Sequence, residues 1–196
     1  MGNVASVQKT LNVLGFHSVI TDNHKEISQS DFILLPGVGS FQKGMENLKE
    51  SGLDDLLTRE VIVRKKPFLG ICLGMQLLAT YGNEPEKRNG LGWIEGEVVK
   101  MELHQKFRVP HLGWNNVKSM DTAPYFYKEF NDQDYYFIHS YHFVAANSGE
   151  VTLKVEYDIP MVAALQKENI YAMQFHPEKS QEAGMMLLKK IIDQYA

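Results

Sequence analysis

The single cysteine of this 196-residue chain, Cys72, lies in the run Pro67-Phe68-Leu69-Gly70-Ile71-Cys72-Leu73-Gly74-Met75-Gln76-Leu77-Leu78. The residues before it form a short apolar stretch behind a proline, which reads as a buried strand. Those after it are good helix formers without a breaker. A nucleophile on a sharp strand-to-helix turn requires this pattern. The backbone is strained at the nucleophile, and side chains two residues before and after it would collide, so both positions are glycine. Such a turn also sets the sulfur near a helix N-terminus, where unpaired N–H groups favour thiolate. Without a partner, the same cysteine reads equally as a small hydrophobe in the core.

A thiolate acyl-transfer centre needs an imidazole to take and return the proton, and a further group to orient that ring. Of seven histidines, His176 stands out, in Gln174-Phe175-His176-Pro177-Glu178. It sits just past the end of an expected buried strand, where α/β proteins place functional residues. Pro177 enforces an extended exit, and Glu178 is two residues on, within reach of the imidazole. Taken alone, the block also fits a loop histidine beside a surface acid. A metal site is disfavoured. His139 and His142 are three apart in a strand-like stretch, which would send their rings to opposite faces, and the zinc-type Cys and His spacings are missing from the sequence.

The elements that would carry these residues follow from periodicity. Val4, Val7, Leu11 and Leu14 predict a helix over 4–14 stopped by Gly15. Strands are expected over 18–21 and 32–35, the second broken by Pro36-Gly37-Val38-Gly39. Helices are expected over 40–50 and 53–64, then the cysteine strand and its helix, then a polar loop over 82–89. This alternation points to a parallel sheet covered by helices. Beyond Gly90 strands are expected over 97–101, 107–110, 135–140, 151–157 and 170–175, which suggests a second, partly antiparallel sheet. Ser180 is expected to cap a last helix whose apolar face is Met185, Leu188, Ile191, Ile192 and Tyr195.

Composition narrows the classes. The length suits one domain, residues 1–196, with a full core. A formal net charge of -4 and a pI near 6.0 argue against nucleic-acid or anionic-membrane binding. One cysteine excludes an internal disulfide and fits a reducing, cytoplasmic setting. No apolar run reaches membrane-spanning length.

The block Gly70-Ile71-Cys72-Leu73-Gly74-Met75-Gln76 together with Gln174-Phe175-His176-Pro177-Glu178 resembles the paired signature of class I, triad-type glutamine amidotransferases. Leu35-Pro36-Gly37-Val38-Gly39-Ser40-Phe41, Val109-Pro110-His111-Leu112-Gly113-Trp114-Asn115, Tyr136-Phe137-Ile138-His139-Ser140-Tyr141 and Glu178-Lys179-Ser180 narrow it to the glutaminase subunits of imidazole glycerol phosphate synthases. The likeness runs from Gly2 to the C-terminal helix. It implies a Rossmann-like, mostly parallel sheet flanked by helices, with a smaller partly antiparallel sheet and without the first strand of that fold. It implies Cys72 as nucleophile, His176 as base and acid, and Glu178 as the orienting group. The oxyanion hole would lie at Val38, Gly39 and Leu73. L-glutamine would be held by Gly37, Gln76 and the stretch His139-Ser140-Tyr141. Ammonia would pass to a (β/α)8 synthase (cyclase) subunit in a heterodimer, with Asn3, Pro110, His111, Trp114, Asn115, Tyr136 and Lys179 near that interface. Neither a cofactor nor a metal is expected.

Three other readings remain open to the sequence. One is a peptidase on a similar elbow, which the His-Pro-Glu block and Gln76 fit less well. Another is a non-catalytic binding module, which the intact triad positions argue against. The third is a closely similar glutaminase that supplies ammonia for amidating a surface-polysaccharide sugar. Gly92-Trp93-Ile94-Glu95-Gly96-Glu97 resembles that branch somewhat. Finally, Gly2-Asn3 matches the end of a loop that in the resembled family follows an apolar strand. Met1 is therefore expected to be an internal methionine, with the native chain extending about ten residues upstream, a strand and its turn.

Overall fold

The computed structural model describes residues 4–195. Helix α1 (Val4–Val13) buries Val7 and Leu11, as its periodicity requires. Helix α2 (His24–Gln29) is capped by Asn23, whose side chain accepts from the N–H groups of Lys25 and Glu26. Strand β1 (Ile33–Gly37) leads into α3 (Phe41–Glu50), capped by Ser40, then α4 (Leu53–Thr58), prolonged by a π-helical turn (Arg59–Val63). Strand β2 (Phe68–Cys72) is buried throughout and runs straight into the short helix α5 (Leu73–Gln76).

Two small strands follow, β3 (Tyr81–Asn83) and β4 (Lys87–Asn89), then β5 (Gly96–Lys100), β6 (His111–Ser119), β7 (Asp134–His139) and β8 (Tyr141–Ala145). The chain continues through β9 (Val151–Tyr157), β10 (Ile159–Lys167), β11 (Ile170–Met173) and α6 (Gln181–Ile192). The larger sheet has seven strands in the order β1-β2-β11-β10-β9-β6-β7, and the smaller has four, β4-β3-β5-β8. The α/β architecture with a smaller second sheet is thus as expected. The larger sheet, expected to be mostly parallel, is mixed: β1, β2 and β11 run parallel, and every pairing from β11 outward to β7 is antiparallel, because β9, β10 and β11 follow one another through tight turns.

Strand alternation divides the core in two. Leu69 and Ile71 of β2 and Tyr171 and Met173 of β11 join α1 and α6 on one face. Phe68, Ile170 and Ala172 join α3, α4 and the smaller sheet on the other. The parallel register places Gly37 beside Cys72 and Met173 beside Ile71. The ends of three strands therefore converge at the cysteine.

Four expectations are corrected. Residues 18–21 form no strand: the Ser18 carbonyl is held by Gln8 Nε2 at 2.9 Å, and Val19 and Ile20 are 61% and 54% exposed. That loop lines a cavity of about 940 Å³ along the outer edge of β1, which leaves Leu34 and Leu35 half-buried. Residues 107–110 are irregular, because Phe107 N–H turns back to the His104 carbonyl and Pro110 has no donor; the ladder starts at His111. The polar loop 82–89 contains β3 and β4, paired as a hairpin. Ser180 precedes α6 but its side chain makes no cap. Its hydroxyl donates to the His176 carbonyl at 2.6 Å and accepts from Tyr136 N–H at 3.0 Å. It ties the histidine loop to β7 instead.

Candidate active site

Cys72 stands at the β2–α5 junction with φ 55, a left-handed backbone that a non-glycine residue adopts at a cost of ~1–3 kcal/mol. The flanking glycines let three backbone segments touch. A Cβ on Gly74 would lie 1.7 Å from the Leu35 carbonyl oxygen, and one on Gly70 2.6 Å from the Gly74 carbonyl oxygen. The elbow inferred from the spacing is therefore real, and it is built by close approach of backbone to backbone.

His176 follows β11 just past the neighbouring strand end. Its N–H donates to the Tyr136 carbonyl at 2.9 Å, which locks the loop to β7. His176 Nδ1 and Glu178 Oε1 are 2.8 Å apart, with both side chains almost fully buried. The carboxylate accepts from Nδ1–H, so Nε2 is the nitrogen left for chemistry, and among the described residues it has no hydrogen-bond partner. Burial disfavours the charged ring, but the Cys72 sulfur and the Glu178 carboxylate outweigh it and hold the imidazole up at about 9. The two sequence blocks are thereby brought together around one sulfur.

The expected oxyanion loop lies alongside. A Cβ on Gly37 would meet Leu73 Cβ at 3.1 Å, Gly39 has φ 112, and Val38 is exposed. Leu73 opens α5, where N–H groups lack intrahelical acceptors. Gln76 is buried, and its Nε2 donates to the Tyr141 carbonyl and to Gln174 Oε1, each at 2.9 Å. Ser140 bridges β7 and β8, and its carbonyl accepts from Met101 N–H.

The rings of His139 and His111 are hydrogen-bonded to each other. His139 Nδ1–H donates to the Tyr141 carbonyl at 2.9 Å, so its Nε2 accepts, and it does so from His111 Nδ1–H at 3.1 Å. Both His139 nitrogens are thus engaged within the protein. His111 is likewise buried, stacked between Phe137 and Tyr157 at 4.7 and 4.1 Å, and cannot present itself at an interface. Burial lowers both rings, His111 to about 4 and His139 to about 3, so the pair is neutral.

The other expected interface residues behave differently. Trp114 is 48% exposed and meets Tyr136 edge-on at 6.0 Å, and Lys179 Nζ sits 5.5 Å from the Tyr136 ring centre. With Leu112, Ile138 and Pro110 they form one exposed patch on the β6–β7 hairpin. Asn115 is half-buried and tied to the Glu156 carbonyl at 2.9 Å. Asn3 lies outside the described residues.

Sequence reasoning missed Gln174 as a member of the site. Its Nε2 is 3.7 Å from Cys72 Sγ. The available signal was a lone amide closing an otherwise apolar strand.

A family model described as "Glutamine amidotransferase class-I" matches residues 2–194. The chain is 46% identical over 97% of its length to "Imidazole glycerol phosphate synthase subunit HisH 1" of Campylobacter jejuni strain RM1221, covering 94% of that protein. It is 42% identical over 99% of its length to "Imidazole glycerol phosphate synthase subunit HisH 2" of Methanococcus maripaludis, covering 96% of it. Among solved structures, one titled "Crystal structure of glutamine amidotransferase" has a TM-score of 0.77 at 18% identity, covering 98% of this chain and 93% of that one. The last likeness shows the fold; the first three comparisons show the family. The chain belongs to the class I glutamine amidotransferases, the glutamine-hydrolysing enzymes, and within them to the HisH subunits of imidazole glycerol phosphate synthase.

Proposed function

We propose that this chain is the glutaminase subunit of an imidazole glycerol phosphate synthase in histidine biosynthesis, releasing ammonia through Cys72, His176 and Glu178. The observation that carries the triad is the buried 2.8 Å pairing of His176 with Glu178 beside a cysteine elbow. The Cys72 sulfur, as thiolate, attacks the side-chain amide carbon of glutamine. The amide oxygen takes up the negative charge and is met by backbone N–H groups at Leu73 and in the 37–39 loop, a type of donor worth ~100–1000-fold in rate. The His176 imidazolium passes its Nε2 proton to the amide nitrogen, the C–N bond breaks, and ammonia leaves. Water, deprotonated by the now neutral His176, then attacks the γ-glutamyl thioester; glutamate departs and the sulfur is regenerated. Glu178 holds the ring so that Nε2, not Nδ1, faces the sulfur throughout.

Ammonia would be used by a (β/α)8 cyclase subunit docked against the exposed patch of Trp114, Tyr136 and Lys179. The test mixes the chain with that cyclase and measures ammonia release from L-glutamine. Cys72→Ser is expected to abolish it, while cyclase turnover fed with ammonium salt continues. Undiminished ammonia release from Cys72→Ser would overturn the assignment.

A second reading keeps the chemistry and changes the acceptor. The relatives reported above carry numbered names, HisH 1 and HisH 2, and the stretch 92–97 resembles glutaminases that serve amidation of a surface-polysaccharide sugar. Stimulation of glutamine hydrolysis by the histidine-pathway cyclase favours the first reading; its absence, with stimulation by a sugar-amidating partner, favours the second.

A further inference from the structure

We propose that Gln174 is a positioning residue for the nucleophile: its side-chain N–H is a fixed donor to the Cys72 sulfur that favours the thiolate, and its orientation is set by Gln76 and the Tyr141 carbonyl. The inference deepens the reading of Cys72 as nucleophile and rests on it.

The orientation of an amide is decided by its partners, since its oxygen and nitrogen have similar shapes. Here the partners form a chain with a fixed end. The Tyr141 carbonyl can only accept, so the Gln76 atom 2.9 Å from it is nitrogen. That nitrogen also meets Gln174 at 2.9 Å, so the Gln174 atom it meets is oxygen. The remaining end of Gln174 is then NH2, and it lies 3.7 Å from Cys72 Sγ. A backbone carbonyl on β8 thus dictates that the sulfur sees a donor. The same carbonyl accepts from His139 Nδ1 at 2.9 Å, so both of its lone pairs are engaged and it is held from two sides.

Gln174 is fully buried, so its side chain is surrounded by protein, and its backbone N–H donates to the Ala163 carbonyl at 2.9 Å, which fixes the main chain that carries it. An N–H aimed at sulfur stabilises the charged form more than the neutral one. The opposing contact is the Ile138 carbonyl, 3.9 Å from Sγ, which can accept only from a protonated thiol. The sulfur is thus placed between a group suited to thiol and one suited to thiolate. His176 supplies the mobile proton; Gln174 supplies a donor that does not move.

The experiment measures alkylation of Cys72 by iodoacetamide in the full chain across pH. It needs neither glutamine nor the cyclase, so its failure and that of the glutaminase reading are distinguishable. Gln174→Met keeps the length and removes the donor. We expect alkylation about three- to tenfold slower near neutral pH, with the variant and native rates converging at alkaline pH. Equal rates at every pH, or a uniform slowing that persists at high pH, would overturn the proposal, the second marking altered access only. Should Gln174→Met not fold, the Gln174 side-chain amide protons in the native chain and in Cys72→Ala are compared by NMR. A large displacement of one of the two supports the proposal; its absence overturns it.

Discussion

Acid should destabilise this protein well above the pH at which carboxylates titrate, because two buried imidazoles must stay neutral. His111 and His139 share one hydrogen bond and are depressed from 6.5 to about 4 and about 3 by burial. Between those values and 6.5 the unfolded chain binds more protons than the folded one, so stability is full above 6.5 and falls as pH drops. For His111 the completed loss is ~3 kcal/mol, of which ~2 kcal/mol is reached by pH 5. A typical domain has only ~5–15 kcal/mol in total. His142 is depressed by burial too and adds in the same direction. His176, raised to about 9, acts oppositely: its contribution grows as pH falls through the window from about 9 to 6.5, which offsets a small part of the loss between pH 7 and 6. Urea melts at pH 7, 6 and 5 should show the midpoint falling by roughly 2 M, ~2 kcal/mol from each of the two rings, for a slope of ~2 kcal/mol per M. His111→Phe preserves the stack on Phe137 and Tyr157. It should melt ~1–3 kcal/mol lower at pH 7, because His139 Nε2 loses its donor, and lose about half the pH dependence. An unchanged native midpoint from pH 7 to 5, or a variant with the full native slope, would refute the reasoning.

Gly74→Ala should cost ~2–3 kcal/mol in urea unfolding, since its methyl would lie 1.7 Å from a strand carbonyl that cannot yield; a stability within error of native would show that the elbow can part. Glu178→Gln should lower ammonia release on the order of 10³–10⁴-fold, less than removal of the nucleophile, and move the alkaline limb of the pH–rate profile downward, because the carboxylate helps raise His176. Trp114→Ala should leave the melting temperature within about 1 °C and weaken cyclase binding ~10–30-fold, as loss of an exposed aromatic anchor does; unchanged affinity in titration calorimetry removes it from the interface.

The cysteine elbow was legible in the sequence because its demands are local. Gly70, Cys72 and Gly74 are spaced by the turn itself, and Pro177 and Glu178 by the loop that follows His176. The strand expected over 170–175 was legible for the same reason, an apolar run, although its ladder ends at Met173. What escaped depends on partners far along the chain. Val19 and Ile20 are β-branched, as strand residues often are, but meet no ladder. Strands β3 and β4 span three residues each, too short for a period-two pattern to mark them. His111 and His139 read as surface or ligand groups because nothing local says that β6 and β7 pair them directly across the ladder. The role of Gln174 follows from a contact with Gln76, a residue on another element, and from a carbonyl on a third.

The most direct test of the account traps the covalent step. The chain is mixed with the cyclase and L-glutamine, quenched in acid during turnover, digested and weighed by mass spectrometry. The triad predicts a γ-glutamyl thioester on the Cys72 peptide, and predicts that Cys72→Ala releases no ammonia from glutamine while the cyclase still turns over with ammonium salt. Ammonia released at the native rate with Cys72 unmodified, or by Cys72→Ala, would contradict it.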